Sequence, residues 1–382
     1  MPKKLLIPSV LLTTGVLLFS QTADRPKEKM VEWLSPPLPP NHPQTPQDEE
    51  RGRELGRAEP AFEFLQPSLD PALPAYPPRK DLAISGNFKA ACSDVLPRLV
   101  KAWIAGFRKL YPNVNIDVAP PYAGSLGAIE LVRGNLDFVF VSRELRPEDI
   151  SAFKAKFGYN PLSVAISGGS YRHFGFLDAI GFFVNKENPL EKISFDQLDA
   201  ILSRTHDRGG EPITKWGQLG LSGEWADKPI HTYGIKPWNG FEEFIRQRVL
   251  SVDGRRGEWR DDINFDKVVF PVAGRVEADR YGIGYSGLAY IDSAVKLLPL
   301  SQHDGGPYYS PSYENVARAF YPLSRVLYFN IKKEPGKPLN PTIQEFLRFV
   351  LSRQGQQIVL DEALFLPLRA SQLEASRRLL EQ

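Results

Sequence analysis

The chain has 382 residues, 42% hydrophobic and 24% charged, enough to bury one large core or two medium ones and too apolar for disorder throughout. With 47 Lys and Arg against 45 Asp and Glu the formal net charge is +2, and no basic cluster is interleaved with aromatics, which argues against a nucleic-acid surface. A single cysteine rules out an internal disulfide, and the five histidines are scattered without metal-ligand or triad spacing.

In chain order, Lys3 and Lys4 precede the apolar run 5–19, and the small residues Ser20, Thr22 and Ala23 follow. This predicts an export signal over 1–23, with an uncleaved N-terminal anchor as the alternative and as the only membrane contact expected. Residues 24–80 hold more than a third of the 34 prolines, a density that sustains neither helix nor central strand. A semi-extended tether is predicted there, and Leu65, Leu69 and Tyr76 offer its last part as a strap.

Folding is expected to begin near Leu82. Residues 83–88 read as a strand running into a glycine loop that holds Asn87 and Phe88. A helix then starts at Ser93 and Asp94, with Pro97 in its first turn and Val95, Leu99, Trp103, Phe107 and Leu110 on one face. Cys92 reads as a small buried filler. A strand over 115–118 leads into Tyr122-Ala-Gly-Ser125, where serine caps the next helix and frees backbone N–H groups for an anion. The strand 137–141 then delivers Ser142 and Arg143 to a rim. This βαβαβ order predicts a parallel sheet with anion-friendly loops on one edge.

A second α/β unit follows. Its strands are expected near 164–166, 179–184 and 230–234, and Ser194 caps a short helix. The loop Lys236-Pro-Trp238-Asn239-Gly240-Phe241 leads into another helix, with Asn239 as N-cap and Gly240 open to close ligand approach. Asn340-Pro341 opens an amphipathic helix near the C-terminus.

Ser85-Gly-Asn-Phe88, Tyr122-Ala-Gly-Ser125-Leu-Gly-Ala128 and the strand 137–141 ending in Ser142-Arg143-Glu144-Leu145 resemble, in this order, motifs of the periplasmic phosphate-binding proteins of ABC importers. Phe183-Val-Asn-Lys186, Ile213-Thr-Lys-Trp216, Gly282-Ile-Gly-Tyr285 and Tyr321-Pro-Leu-Ser-Arg325 continue the resemblance, which covers roughly 82–368. It implies the two-lobed type II periplasmic binding protein fold, each lobe a mixed sheet flanked by helices, with a ligand cleft between them. Lobe 1 is then expected at 81–175 plus 280–382 and lobe 2 at 176–279. The implied role is an exported, monomeric solute-binding protein that captures phosphate or a related oxyanion for an ABC importer permease, with no cofactor, metal or catalysis. The alternative is a degenerate, non-transporting relative acting as an envelope interaction or sensory module.

The ligand residues on this reading are Asn87, Phe88, Ser125, Ser142, Arg143, Lys236, Asn239 and Gly240. Arg143 either neutralises the ligand or pairs with Glu144 or Glu148, and Arg325 is expected to be structural. The second-lobe loop departs from the family pattern. Ile235 stands where the family has arginine, and Asn239 and Phe241 replace its serine and threonine, so that only Gly240 survives. Trp238 and Phe241 either belong to the core or wall an altered pocket.

Overall fold

The computed structural model describes residues 68–120, 124–172, 177–237, 240–291 and 293–381, with 124–126 and 240 described for their backbone alone. The expected export signal and most of the expected tether lie outside these residues.

The first lobe grows from alternation along two central strands. In β1 (Gly86–Cys92) the residues Phe88, Ala90 and Cys92 face one side and Ala91 the other. In β3 (Phe138–Val141) the phenylalanines take the first side and the valines the second. Both faces are therefore apolar, and the sheet must be covered twice. On one face lie α1 (Pro97–Leu110), α8 (Pro341–Val350), α9 (Arg353–Glu362) and α10 (Ala370–Arg378), packed over Trp103, Phe107, Phe346 and Phe349. On the other, α2 (Gly124–Arg133) and α3 (Pro147–Phe157) bury Leu131 and Phe153. Parallel pairing of β1 with β2 (Val114–Val118) and with β3 matches the expected βαβαβ unit. Antiparallel β12 (Val326–Ile331) and β4 (Leu162–Gly168) complete the order β2-β1-β3-β12-β4.

The second lobe is a mixed sheet of order β10-β5-β9-β7-β8. It comprises β5 (Ile180–Asn185), β7 (His231–Ile235), β8 (Asn264–Asp266), β9 (Gly282–Gly287) and β10 (Val295–Leu297). A two-stranded ribbon, β6 (Ile193–Ser194) with β11 (Leu300–Ser301), accompanies it. Helices α4 (Phe195–Leu202), α5 (Gly240–Ile245), α6 (Pro271–Ala278) and α7 (Tyr313–Ala317) belong to this lobe, whose core is built on Phe182, Trp216, Tyr285 and Trp259. Ser194 caps α4 as expected, its hydroxyl accepting from the Gln197 N–H at 3.1 Å.

Two corrections follow. The boundary expected at 280 is displaced, because β9 and β10 pair inside the second sheet: β9 lies between β5 and β7, and the chain returns to lobe 1 only through Tyr321–Arg325. The last part of the expected tether belongs to lobe 1. Leu73 and Tyr76 are buried in its core, and Asp70 accepts from the Ala370 N–H at 3.0 Å.

The two crossovers between lobes run side by side. The Gly169 N–H donates to Arg325 O at 2.8 Å, the Ile180 N–H to Leu323 O at 3.2 Å, and the buried Tyr321 hydroxyl to Ile180 O at 2.9 Å. Paired short connections of this kind act as a hinge.

Candidate functional site

In a parallel unit the ligand edge lies at the carboxyl ends of the strands. For β1 that end is Ser93, not Asn87. Gly86 takes φ +135°, a conformation open to glycine, and it starts the strand instead of ending it. Asn87 and Phe88 consequently pair with Asn115 and Ile116 at the opposite end of the sheet, about 20 Å from Ser93 at six extended residues. Phe88 is a core residue against Phe138, at 6.3 Å between ring centroids.

Ser93 and Ser142 meet at the correct edge. The Ser93 N–H donates to Phe140 O at 2.9 Å, and its hydroxyl accepts from the Ser142 N–H at 3.1 Å. Ser125 lies in the first turn of α2, after β2 on the same edge. These three segments share the carboxyl edge of the lobe 1 sheet. Arg143 is engaged locally: 10% exposed, it donates to Glu144 O at 2.6 Å and to Asp149 Oδ2 at 3.2 Å, bracing the turn into α3. Burial pulls its guanidinium below the usual arginine value, opposed by Asp149.

On the lobe 2 side, Ile235 is fully buried at the end of β7, its backbone exchanging hydrogen bonds with the Tyr285 hydroxyl at 3.2 and 3.1 Å. The Lys236 N–H donates to Asp266 O at 2.9 Å, extending the pairing with β8. Gly240 begins α5, while Trp238 and Asn239 lie outside the described residues. Phe241 packs edge-on to Tyr290 at 6.0 Å and lies against Gly287, which joins it to the edge of the lobe 2 core.

Lobe 2 instead sends charge across the cleft from beyond α5. The helix continues as a π-turn over Arg246–Leu250, which accommodates one extra residue between the apolar positions Ile245 and Val249-Leu250. Arg248 on this turn pairs with Glu144 of lobe 1 at 2.6 Å, and the Tyr328 hydroxyl donates to the same carboxylate oxygen at 3.1 Å. Arg256 adds a second bridge, to Glu148 at 3.5 Å. A cavity of about 250 Å³ opens between the lobes beside these pairs, lined by Glu144, Leu145 and Pro147 on one side and Gln247, Arg248 and Ser251 on the other.

At the hinge stand two groups not predicted as ligands. Arg325, 6% exposed, lies over the Phe244 ring at 4.3 Å, and its Nε is buried without a partner among the described residues. Burial lowers its pKa to about 10, so it stays charged at neutral pH. Asp178 is fully buried. Its Oδ2 accepts from the Ala289 N–H at 2.9 Å, its Oδ1 has no partner among the described residues, and burial pushes its carboxyl up to about 7 against the charges of Arg325 and Arg172. Cys92 is a buried filler as expected, its thiol pushed up to about 12 by burial. No helix among the described residues is long and apolar enough to cross a membrane.

Residues 77–354 match the family described as PBP superfamily domain. The chain is similar to the phosphate-binding protein PstS of Pseudomonas aeruginosa, 35% identical over 309 residues that cover 80% of this chain and 90% of that protein. It is also similar to protein SphX of Synechococcus elongatus, 27% identical over 274 residues, covering 71% and 74%. Among solved structures it matches PstS from Borrelia burgdorferi with a TM-score of 0.53 and 19% identity, covering 75% of this chain and 100% of that one, a likeness of fold.

Proposed function

The chain belongs to the PBP superfamily, in the family of the PstS phosphate-binding proteins, and from that premise we propose that it captures phosphate or a related oxyanion between its lobes for an ABC importer. The observation that carries this reading is the convergence of the loops after β1, β2 and β3 on one edge, with Ser93 and Ser142 already joined there. Hydroxyls and helix-start N–H groups on that edge suit an oxyanion, which their fixed dipoles stabilise from the lobe 1 side without a formal counter-charge there. The hinge of paired crossovers lets lobe 2 close over the ligand and present a closed form to a permease. Such a protein works as an exported monomer and carries out no chemistry. A non-transporting module is not favoured, given a match that spans nine-tenths of a phosphate-binding relative.

The test is calorimetric titration of the protein, stripped of bound anion by unfolding and refolding, with phosphate, sulfate, molybdate and a phosphonate. Phosphate is expected to bind with micromolar or tighter affinity, and Ser93→Ala with Ser142→Ala to weaken it by about tenfold or more, as loss of two hydroxyl contacts requires. Unchanged affinity in the double variant displaces the site from this edge. Absence of heat with every anion overturns the reading itself.

A further inference from the structure

The second-lobe loop offers no guanidinium, and yet the cleft is not poor in positive charge. Arg248 and Arg325 approach the same Phe244 ring, at 5.7 and 4.3 Å from its centroid. One comes from the π-turn of lobe 2 and the other from the returning crossover. The Nε of each is buried and unpartnered among the described residues. Two cations gathered on one ring repel each other and call for an anion between them. In this structure the anion is a side chain of the protein: Glu144 pairs with Arg248 at 2.6 Å, accepts from the Tyr328 hydroxyl and feels the charge of Arg325. Glu144 lies two residues beyond Ser142 and lines the interlobe cavity.

We propose that Glu144 is a resident carboxylate in an anion subsite made by Arg248, Arg325 and the Tyr328 hydroxyl, joining the two lobes until an incoming oxyanion displaces it. The proposal rests on the oxyanion reading of the cleft and gives it a source of lobe 2 charge. The displaced carboxylate has somewhere to go. It lines the interlobe cavity of about 250 Å³, which is roomy for several waters at about 30 Å³ each. Gln247 lines the same cavity, and both polar atoms of its amide are buried without partners among the described residues, a neutral donor and acceptor for whichever group enters. Exchange of one anion for another keeps Arg248 compensated throughout, Asp178 faces Arg325 in either state, and the freed Glu144 carboxylate, whose side chain is already 29% exposed, is released toward water. It also makes affinity a competition, in which the ligand must outbid a tethered carboxylate for Arg248.

Glu144→Gln keeps the size and polarity of the side chain and removes the competing charge. Phosphate is titrated calorimetrically into wild type, Glu144→Gln, and the double variant Glu144→Gln with Arg248→Gln, with thermal unfolding as the control for folding. Glu144→Gln is expected to bind phosphate about tenfold more tightly than wild type or better, and the double variant to lose that gain. The proposal is overturned if Glu144→Gln binds no more tightly than wild type, or if the gain survives the loss of Arg248. If Glu144→Gln does not fold, Glu144→Ala is judged on the same criterion. A wild type that gives no heat while Glu144→Gln does overturns the capture role of the natural protein and sustains the displaced carboxylate.

Discussion

Asp178 shows how a single buried side chain at the hinge can set a pH response. Its carboxyl is raised by burial from 3.8 to about 7, with only one oxygen hydrogen-bonded among the described residues. A carboxyl whose folded pKa lies above its unfolded value takes up a proton on folding. Its stabilising contribution is complete below about pH 4 and is lost as pH rises toward 7. Asp178→Asn is therefore expected to be most costly at low pH and least costly above 7, and to flatten the stability profile between those limits. Denaturant unfolding at pH 4.5, just inside the lower limit, and at pH 7.5, just above the upper one, measures this; a parallel profile in the variant refutes the assignment. Ser93 and Arg325 illustrate a different point. Each becomes a cleft residue through neighbours brought from elsewhere in the chain: Phe140 and Ser142 for the serine, Phe244 and Asp178 for the arginine.

At the scale of elements, the strap and the π-turn both act by fastening. The strap enters lobe 1 through Tyr76, whose hydroxyl bonds Tyr111 at 3.1 Å and Glu345, while its backbone N–H donates to Gln354 at 2.7 Å. Glu345 is almost fully buried and relies on these hydroxyls and on Arg348 at 2.6 Å. Tyr76→Phe is expected to cost about 1–3 kcal/mol, the penalty for leaving a buried acceptor short of a donor. It is also expected to expose residues 68–80 to limited proteolysis before the rest of the lobe opens; equal resistance in both proteins sinks this account. The π-turn is held by Glu242, which accepts from Trp259 Nε1 at 2.6 Å and pairs with Arg246 at 2.7 Å. Its extra residue moves Arg248 off the core stripe and toward lobe 1.

For the whole molecule, the decisive feature is that both crossovers are pressed together at one glycine. A Cβ at Gly169 meets Arg325 Cβ at 2.5 Å and Leu177 O at 2.6 Å. Gly169→Ala must therefore push the crossovers apart, and it is expected to cost about 1–3 kcal/mol as an overpacked site. Since the displaced atoms belong to the hinge, the variant is also expected to change the compaction seen by small-angle scattering on adding phosphate. A variant with unaltered stability shows that the crossovers are looser than this close approach implies.

The amphipathic and alternating patterns determined much of this protein directly. Trp103 and Phe107 recur at helical spacing and Phe138–Val141 at strand spacing, so both elements and the parallel βαβαβ unit follow from local chemistry alone. Ser142 was legible for the same reason, since a buried strand that stops must deliver its next residues to an edge. Strand ends are less determined. Residues 83–88 and 86–92 are both acceptable strands by pattern, and the positive φ of Gly86 with the register against Val114 and Phe138 decided between them, which makes Ser93 and not Asn87 the residue at the carboxyl end of β1. The partition of lobes was likewise out of reach, because β9 carries no mark of its sheet until β5 and β7 flank it. Charge was hardest of all. Glu144, Arg248 and Arg325 are separated by more than a hundred residues at the first step and by nearly eighty at the second, and each alone reads as a surface or structural ion. Only the fold places them together between the lobes, Arg325 buried and Glu144 and Arg248 partly shielded, where water screens their mutual attraction less than it does on an open surface.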